Sequence, residues 1–418
     1  MKSFFSLLLL VTVLTACGSD SSRNGTAAVQ LQLPPGFTAT LVAEKLGDAR
    51  HIVVHTNGDV YVKLESLRDG KGILRLRDTN KDGMLDDVFA FGNYGGTGIA
   101  IKDGYLYASS NQEVFRYKFN EKQEIINPDQ PEVIVTGLVD RRQHNSKSIT
   151  LDNAGNLYVN IGAPSNACQE QDRTKGSPGQ DPCPILETAG GIWQFKANGK
   201  QQSYAEGVRY ATGLRNVVGL DWNNSNNTLY VMQHGRDQLN SLHPSLYNDS
   251  TSADLPAEEF FRVEKGMNFG WPYCYYDPFQ QQKVLAPEYG GDGKKVDRCS
   301  GFEKPIYAFP AHWGPNALLF YTGNHFPENY RNGAFIAFHG SWNRAPLEQG
   351  GYNVVFVPMK DGLPSGNYEI FADGFAGSVK TPRGAQHRPC GLAMGPDGSL
   401  YISDDKGGGI WKITYTGK

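Results

Sequence analysis

Short runs of alternating apolar and polar residues recur along the chain, separated by glycine, asparagine and aspartate. A turn leading into an apolar strand appears as Asn57-Gly58-Asp59-Val60-Tyr61, as Asp103-Gly104-Tyr105-Leu106-Tyr107, as Gly155-Asn156-Leu157-Tyr158 and as Asn227-Thr228-Leu229-Tyr230. A divergent copy is Asn332-Gly333-Ala334-Phe335-Ile336, and a clean one is Asp397-Gly398-Ser399-Leu400-Tyr401. Most copies are followed by a second alternating strand, as at Gly72-Leu76, Val114-Tyr117, Gly191-Phe195, Tyr352-Pro358 and Gly409-Ile413. Gly, Asn or Asp at the turn supplies positive φ, and the two-residue period buries one strand face. Six unevenly spaced copies of one hairpin unit predict an all-β chain folded as a six-bladed β-propeller. A pair of β-sandwiches would not explain one hairpin signature recurring into the C-terminal residues. Phe37-Ala43 alternates as well and is expected to complete the blade of the C-terminal strands, closing the ring. The longest insertion, about 238-330, carries Asn268-Phe269-Gly270-Trp271-Pro272-Tyr273-Cys274 and is expected to wall a binding site above the channel.

The start of the chain reads differently. Lys2 precedes the apolar run Phe4-Leu14, which is too short to span a bilayer and ends in Leu14-Thr15-Ala16-Cys17. This looks like a bacterial lipobox, so residues 1-16 are expected to be a signal peptide and Cys17 the lipidated first residue. Residues 17-33 read as a flexible tether and 34-418 as the propeller. The expected location is the cell envelope, lipid-anchored, on a periplasmic or extracellular face. Abundant glycine (49) with 21 Tyr and 21 Phe favours many short strands, and the formal charge of -3 gives no general pull toward nucleic acid. The loops bracketed by Cys168 and Cys183 and by Cys274 and Cys299 have spacings that suit disulfide staples in an oxidising compartment, though spacing alone does not fix the connectivity. Cys390 is left over as a small buried residue.

Several motifs carry chemistry. In Gln143-Gly162, His144 stands just before a repeat strand, where it would act as a base at the channel mouth. Thr212-Gly213-Leu214-Arg215-Asn216 precedes another repeat strand, and Gln233-His234-Gly235-Arg236-Asp237 follows its hairpin partner. The runs His339-Gly340-Ser341-Trp342-Asn343-Arg344 and His387-Arg388-Pro389-Cys390-Gly391 occupy comparable blade positions. Radial repetition brings such positions together around the axis, and a partly buried arginine cluster implies an anionic, carboxylate-bearing ligand. Separately, Asp78, Asn80 and Asp82 with Gly83 match the front of a calcium loop that Asp86 or Asp87 would complete. Its twelfth position is Phe89 rather than glutamate, so it is no ordinary EF-hand, and an acidic turn without metal is the competing reading.

Taken together, His144-Asn145, Gly213-Leu214-Arg215-Asn216, Asn268-Pro272, His339-Arg344 and Gly395-Tyr401 resemble the soluble glucose/sorbosone dehydrogenase family over about 33-416. The family's members are six-bladed quinoproteins using pyrroloquinoline quinone (PQQ) and calcium. The resemblance implies that His144 removes the sugar hydroxyl proton as hydride passes to PQQ. Arg215 and Asn216 would contact the quinone oxygens, Gln233 would belong to the same binding shell, and Arg388 and Arg344 would pair with cofactor carboxylates. The carbonyls of His234, Gly235 and Arg236 would stand where glucose-active members bind calcium through a Gln-Gly-Pro stretch. Phe309, His312 and Trp342 would form the substrate side. The departures at Gln233-Asp237 and His312 place the chain nearer the sorbosone branch, and a lysine expected near the cofactor has no counterpart in His339-Arg344. The implied partners are a sugar or aldehyde substrate and an electron acceptor.

Two other classes of function compete. A calcium-dependent sugar-lactone hydrolase would need acidic ligands converging on the channel. A glycan- or protein-binding surface lipoprotein would have no buried arginine cluster.

Overall fold

The computed structural model describes residues 29-417, so the signal peptide, Cys17 and most of the tether lie outside the described residues. Six main sheets form the six blades of a β-propeller. Blade 1 contains Ala49-Val54, Val60-Arg68, Lys71-Arg77 and Asp87-Phe91. Blade 2 contains Ile99-Lys102, Tyr105-Ser109, Val114-Lys118 and Glu132-Thr136, with Gln202-Ser203 added in parallel at its edge. Blade 3 contains Ile149-Leu151, Asn156-Ile161, Gly191-Lys196 and Val208-Thr212. Blade 4 contains Val217-Asn223, Thr228-Gln233, Glu258-Val263 and Tyr307-Phe309, and blade 5 contains Pro315-Phe320, Ala334-Phe338, Asn353-Val357 and Glu369-Ala372.

Blade 6 closes the ring. Its strands Pro389-Met394, Leu400-Asp404 and Ile410-Tyr415 are joined by Phe37-Ala43, whose antiparallel register runs from Phe37↔Tyr415 to Thr40↔Lys412. This is the pairing the alternation at Phe37-Ala43 predicts. Sharing a blade between the two ends removes the open sheet edge that would otherwise invite intermolecular pairing.

Each recurring turn-and-strand copy is the second strand of a blade, and the alternating run after it is the third. The turns carry positive φ as the residue types require, for instance +79° at Gly398. A Cβ at Gly398 would also stand 2.6 Å from the Cβ of His325. The core lies between blade faces. Tyr158 of blade 3 stacks on Trp222 of blade 4 with ring centroids 5.2 Å apart. Phe335 and Phe356 of blade 5 share one cluster with Leu400, Ile402 and Trp411 of blade 6.

The insertion expected at 238-330 needs correction. It contains blade strands Glu258-Val263, Tyr307-Phe309 and Pro315-Phe320, so much of it is propeller. The true excursions are the short helices Leu239-Leu242 and Asp249-Asp254 and the hairpin Cys274-Asp277/Gln282-Leu285. Both expected disulfides form, Cys168-Cys183 and Cys274-Cys299, and Cys390 is a buried free thiol.

Candidate active site

Antiparallel pairing decides where the motifs gather. In a hairpin, the start of the first strand and the end of the second lie at the same end. Val217 pairs with Gln233, Pro315 with Phe338, and Pro389 with Asp404. Residues just before a first strand (Arg215, Asn216, Arg388) and just after a second (His234, His339, Asp405) therefore meet on one face of the ring. Of these, Arg215, His234, His339 and Arg388 line a cavity of about 190 Å³ with His144, Asp237, Glu258, His312, Trp342 and Asn343.

His144 is half-buried and has φ +53°, a left-handed conformation that bulky residues seldom adopt and that is often found at functional sites. Its Nδ1 lies 2.5 Å from the carbonyl oxygen of Ala163. A carbonyl only accepts, so Nδ1 carries the proton and Nε2 is left with its lone pair. Burial, reinforced by the neighbouring Arg215, lowers its pKa to about 3, so the ring is neutral. The loop is held from two sides. Buried Lys147 donates from Nζ to the carbonyl of Asn145 at 2.5 Å, and Gly162 leaves the room behind the ring. A Cβ at Gly162 would stand 2.6 Å from the His144 carbonyl oxygen, 2.7 Å from its Cβ and 2.8 Å from Oδ1 of Asn216.

Arg215 is buried and held through four of its five N–H groups. It donates to the Asn166 carbonyl (3.2 Å), the Gly235 carbonyl (2.9 Å), Asn166 Oδ1 (3.1 Å) and Asp237 Oδ2 (2.7 Å). Asp237 also receives Arg173 at 2.9 Å and Asn343 at 2.6 Å. Burial alone would raise the Asp237 pKa, but Arg215 and Arg173 outweigh it and hold the carboxyl well below its usual range. Beside Arg215, Asn216 presents a buried Oδ1 with no hydrogen-bond partner among the described residues. Arg388 donates Nε to the His339 carbonyl at 2.9 Å and Nη2 to the Gly340 carbonyl at 2.8 Å, and its guanidinium lies 5.6 Å from the Tyr352 ring centroid.

Not every expected residue reaches the cavity. Gln233 lies beneath it, accepting the Arg215 amide at 2.8 Å and bonding to Glu259, so it braces the loop. Arg344 turns outward to Asp254 at 3.1 Å and to the carbonyl of Ala253. Phe309 is buried between blades 4 and 5 against Phe338, with centroids 5.1 Å apart, and belongs to the core. Trp342 stands at the rim, 53% exposed. His312 is buried, with Nε2 2.8 Å from the Ser252 carbonyl and Nδ1 3.1 Å from Asn343. His234 reaches across to the Pro315 carbonyl at 2.9 Å and is lowered to about 4 by burial.

At the two expected metal positions, oxygens among the candidate ligands have hydrogen-bond partners of their own. At His234-Gly235-Arg236, the Gly235 carbonyl already accepts Arg215, and the Arg236 side chain points away to Glu288. In the Asp78 loop the side-chain oxygens turn to nearby backbone amides. Asp78 accepts Lys81 and Gly83, Asn80 accepts Asp82, Asp82 accepts Met84, and Asp86 accepts Thr79. No group of three or more His, Cys, Asp or Glu side chains is arranged to hold a metal among the described residues. The acidic turn is thus held by its own backbone.

Sequence reasoning missed Asp237 as the partner of Arg215, Glu258 between the Gly235 and Gly314 amides (2.8 and 2.9 Å), Lys147, Asn343 and Asp405. Asp237 and Glu258 add two carboxylates to a cavity otherwise rich in His, Arg and Asn. A usable signal existed for two of them: Asp237 closes the Gln233-Asp237 run, and Asp405 follows the last repeat strand as His339 follows the fifth.

The chain is similar to an uncharacterized protein of Borreliella burgdorferi, 29% identical over 76% of this chain and 75% of that protein. It is similar to a pyrroloquinoline quinone-dependent sugar dehydrogenase of Hypocrea jecorina, 22% identical over 97% of this chain and 95% of that enzyme. Among solved structures it resembles the calcium structure of a Trichoderma reesei carbohydrate-active enzyme of family AA12. The TM-score is 0.75 at 20% identity, covering 94% of this chain and 99% of that one. A family model described as TrAA12-like matches residues 31-416, nearly the whole propeller, and the chain belongs to that family.

Proposed function

We infer that this protein is a quinoprotein sugar dehydrogenase that oxidises a sugar with PQQ as cofactor. The observation that carries the reading is a neutral imidazole with a free Nε2, His144, in a cavity also lined by two guanidiniums, Arg215 and Arg388. The residues fit the group. Arg388 and the fixed positive charge of Arg215 suit an anionic polycarboxylate, and Oδ1 of Asn216, buried next to Arg215 in sequence, is an acceptor without a partner among the described residues. When bound, PQQ supplies a two-electron acceptor for the hydride of the substrate C-H bond.

The chain supplies the rest. Nε2 of His144 takes the hydroxyl proton, and the Ala163 carbonyl keeps the Nδ1 proton in place so that the imidazolium is oriented and stabilised. An anionic ligand facing the ring offsets Arg215 and raises the basicity of His144 from its depressed value. Asp237 fixes the Arg215 fork, so that its charge is preorganised rather than recruited during the reaction. Trp342 at the rim provides an apolar face for a sugar ring.

Calcium belongs to the same proposal. The peptide oxygens of His234-Arg236 and the carboxylates of Asp237 and Glu258 are hard donors at the cavity edge, and a bound ion would compete with Arg215 for the Gly235 carbonyl. A sugar nearer sorbosone than glucose is proposed from His312 and the Gln233-Asp237 run. Reconstitution of the purified protein with PQQ and calcium, followed by a dye-reduction screen over aldoses, aldehydes and polyols, tests the reading. Sugar-dependent reduction that requires PQQ is expected, and no reduction with any substrate would overturn it.

The buried arginines count against a purely binding propeller. The hydrolase reading is weakened because Asp237 is neutralised by Arg173 and Arg215. We also propose lipid anchoring at Cys17 on an envelope face. Cys17→Ser is expected to move the protein to the soluble fraction, and unchanged fractionation would refute the anchor.

A further inference from the structure

One group at the cavity has no part in the chemistry above. Nε2 of His339 lies 2.6 Å from Oδ1 of Asp405, whose Oδ2 receives Nη1 of buried Arg50 at 2.7 Å. A carboxylate held by an arginine only accepts, so Nε2 carries the proton and Nδ1 is the ring nitrogen left for a ligand. His339 lines the same cavity as His144, and it follows a second strand as Asp405 does. Histidine-carboxylate pairs of this kind set the tautomer of the ring and stabilise its cation when one forms.

The surroundings decide when that cation forms. Arg388, from the segment before blade 6, donates to the His339 carbonyl at 2.9 Å. Arg50 of blade 1 stands behind Asp405, and His234, after the second strand of blade 4, lines the same cavity. Burial and the guanidiniums of Arg388 and Arg50 disfavour a charged ring, while Asp405 favours one. The opposing influences leave room for a ligand to tip the balance. The carboxylates on the cavity side are already engaged, Asp237 by Arg173 and Arg215 and Glu258 by the Gly235 and Gly314 amides, so an incoming carboxylate adds the negative charge that tips it.

We propose that His339, backed by Asp405 and Arg50, is a proton-linked clamp for a carboxylate of the bound ligand. Nδ1 takes up a proton from solvent as the carboxylate enters, forms a charge-assisted hydrogen bond to it, and returns the proton when the ligand leaves. This would fill the role for which the sequence offers no lysine, with a cation that exists only while the site is filled. The clamp rests on the quinoprotein reading for the identity of the natural ligand, but not for its chemistry.

The test is calorimetric titration of the protein at neutral pH and constant calcium, in buffers that differ in ionisation enthalpy. Two probes are used, PQQ and the plain tricarboxylate trimesate. The dependence of binding enthalpy on buffer counts the protons taken up, a readout that a merely structural role would not move. Wild type is expected to take up protons on binding. His339→Gln and Asp405→Asn should each lose about half a proton or more and bind about 10-fold more weakly. Uptake unchanged in both variants, or no uptake by wild type, overturns the clamp. PQQ bound without uptake removes the clamp and leaves the cofactor reading standing. Trimesate bound with uptake while PQQ does not bind keeps the clamp and removes the cofactor reading.

Discussion

The six innermost strands have two ends with different characters. At their starts they meet His144, Arg215, Asp237, Glu258, His339 and Arg388 around the polar cavity. Toward their far ends the same strands line an axial cavity of about 310 Å³ with Ile52, Val54, Ile101, Leu319 and Met394, and Asp221 is the acidic residue among its walls. The strands are alike, so the difference comes from the connections. At the far end the first strand mostly returns through a tight turn such as Asn57-Gly58, and of these turns only that of blade 4 brings a residue, Asn224, to the lining among the described residues. At the near end the chain must travel between hairpins and between blades, and those longer paths carry the chemistry. The propeller supplies radial convergence, and the long connections supply function.

If that division is right, the largest effects come from the near end. His144→Ala should lower turnover by about 100-fold or more, the scale of general-base catalysis, while PQQ binding measured by titration stays largely intact. Turnover at the wild-type rate would mean that another group is the base, with His234, His312 and His339 next to test. Arg215→Ala should differ in kind, damaging cofactor affinity and turnover together, because it strands the buried carboxylate of Asp237 as well as removing a cation.

Gly162→Ala probes the same end without removing a polar group. The added Cβ would meet the His144 backbone and Cβ and Oδ1 of Asn216, all closer than 3 Å in the present geometry. The loop has to shift, and a displaced base is expected to cost about 10-fold in turnover. A melting temperature close to wild type, measured alongside, would assign the loss to geometry rather than to unfolding. Unchanged turnover would show that the loop yields freely.

A staple near the cavity should matter next. Cys168-Cys183 packs with Trp271 and with Ala163, whose carbonyl orients His144. Replacing both cysteines by serine is expected to destabilise the fold by about 2-4 kcal/mol, read by denaturant unfolding, with a smaller loss of activity. A melting curve identical to wild type would show that the loop is held by its hydrogen bonds alone.

How much of this was legible in the sequence follows the same division. The blades were readable because each hairpin carries its own turn chemistry and its own two-residue period, both local signals. Even the closing strand showed itself, since Phe37-Ala43 alternates like the strands it joins. The motifs before first strands and after second strands were readable as a group for the same reason. What did not show was direction. Arg344 and Trp342 are two residues apart in one run, yet one turns out to Asp254 and the other stands at the rim. Phe309 ends a strand whose inner face belongs to the core, which no local pattern distinguishes from a cavity wall. The Asp78 loop has oxygen donors at calcium-loop spacing, but spacing does not reveal that Asp78 accepts the backbone amides of Lys81 and Gly83. Side-chain pairings such as Arg215 with Asp237 across one hairpin, His339 with Asp405 across blades 5 and 6, or Arg50 with Asp405 across the ring closure depend on the assembled fold.

The smallest effect, and the sharpest check on the contrast between the two ends, comes from Asp221. Its Oδ2 accepts the amide of Phe320 from the neighbouring blade at 2.9 Å, and burial pushes its pKa up to about 7 from an ordinary value of 3.8. The folded protein therefore binds a proton that the unfolded chain releases between about pH 4 and pH 7. Stability from this group is full below that window and is lost as the pH rises through it. Asparagine keeps an acceptor for Phe320 and removes the titration. Asp221→Asn should match wild type near pH 4 and exceed its stability above pH 7, by about 1-2 kcal/mol once water in the channel is allowed for. Turnover should not change, because the far end carries no chemistry. Melting curves taken across the window, with activity measured on the same samples, decide it. A parallel pH dependence in both proteins would remove Asp221 as the titrating group, and a loss of turnover would show that the two ends of the strands are coupled.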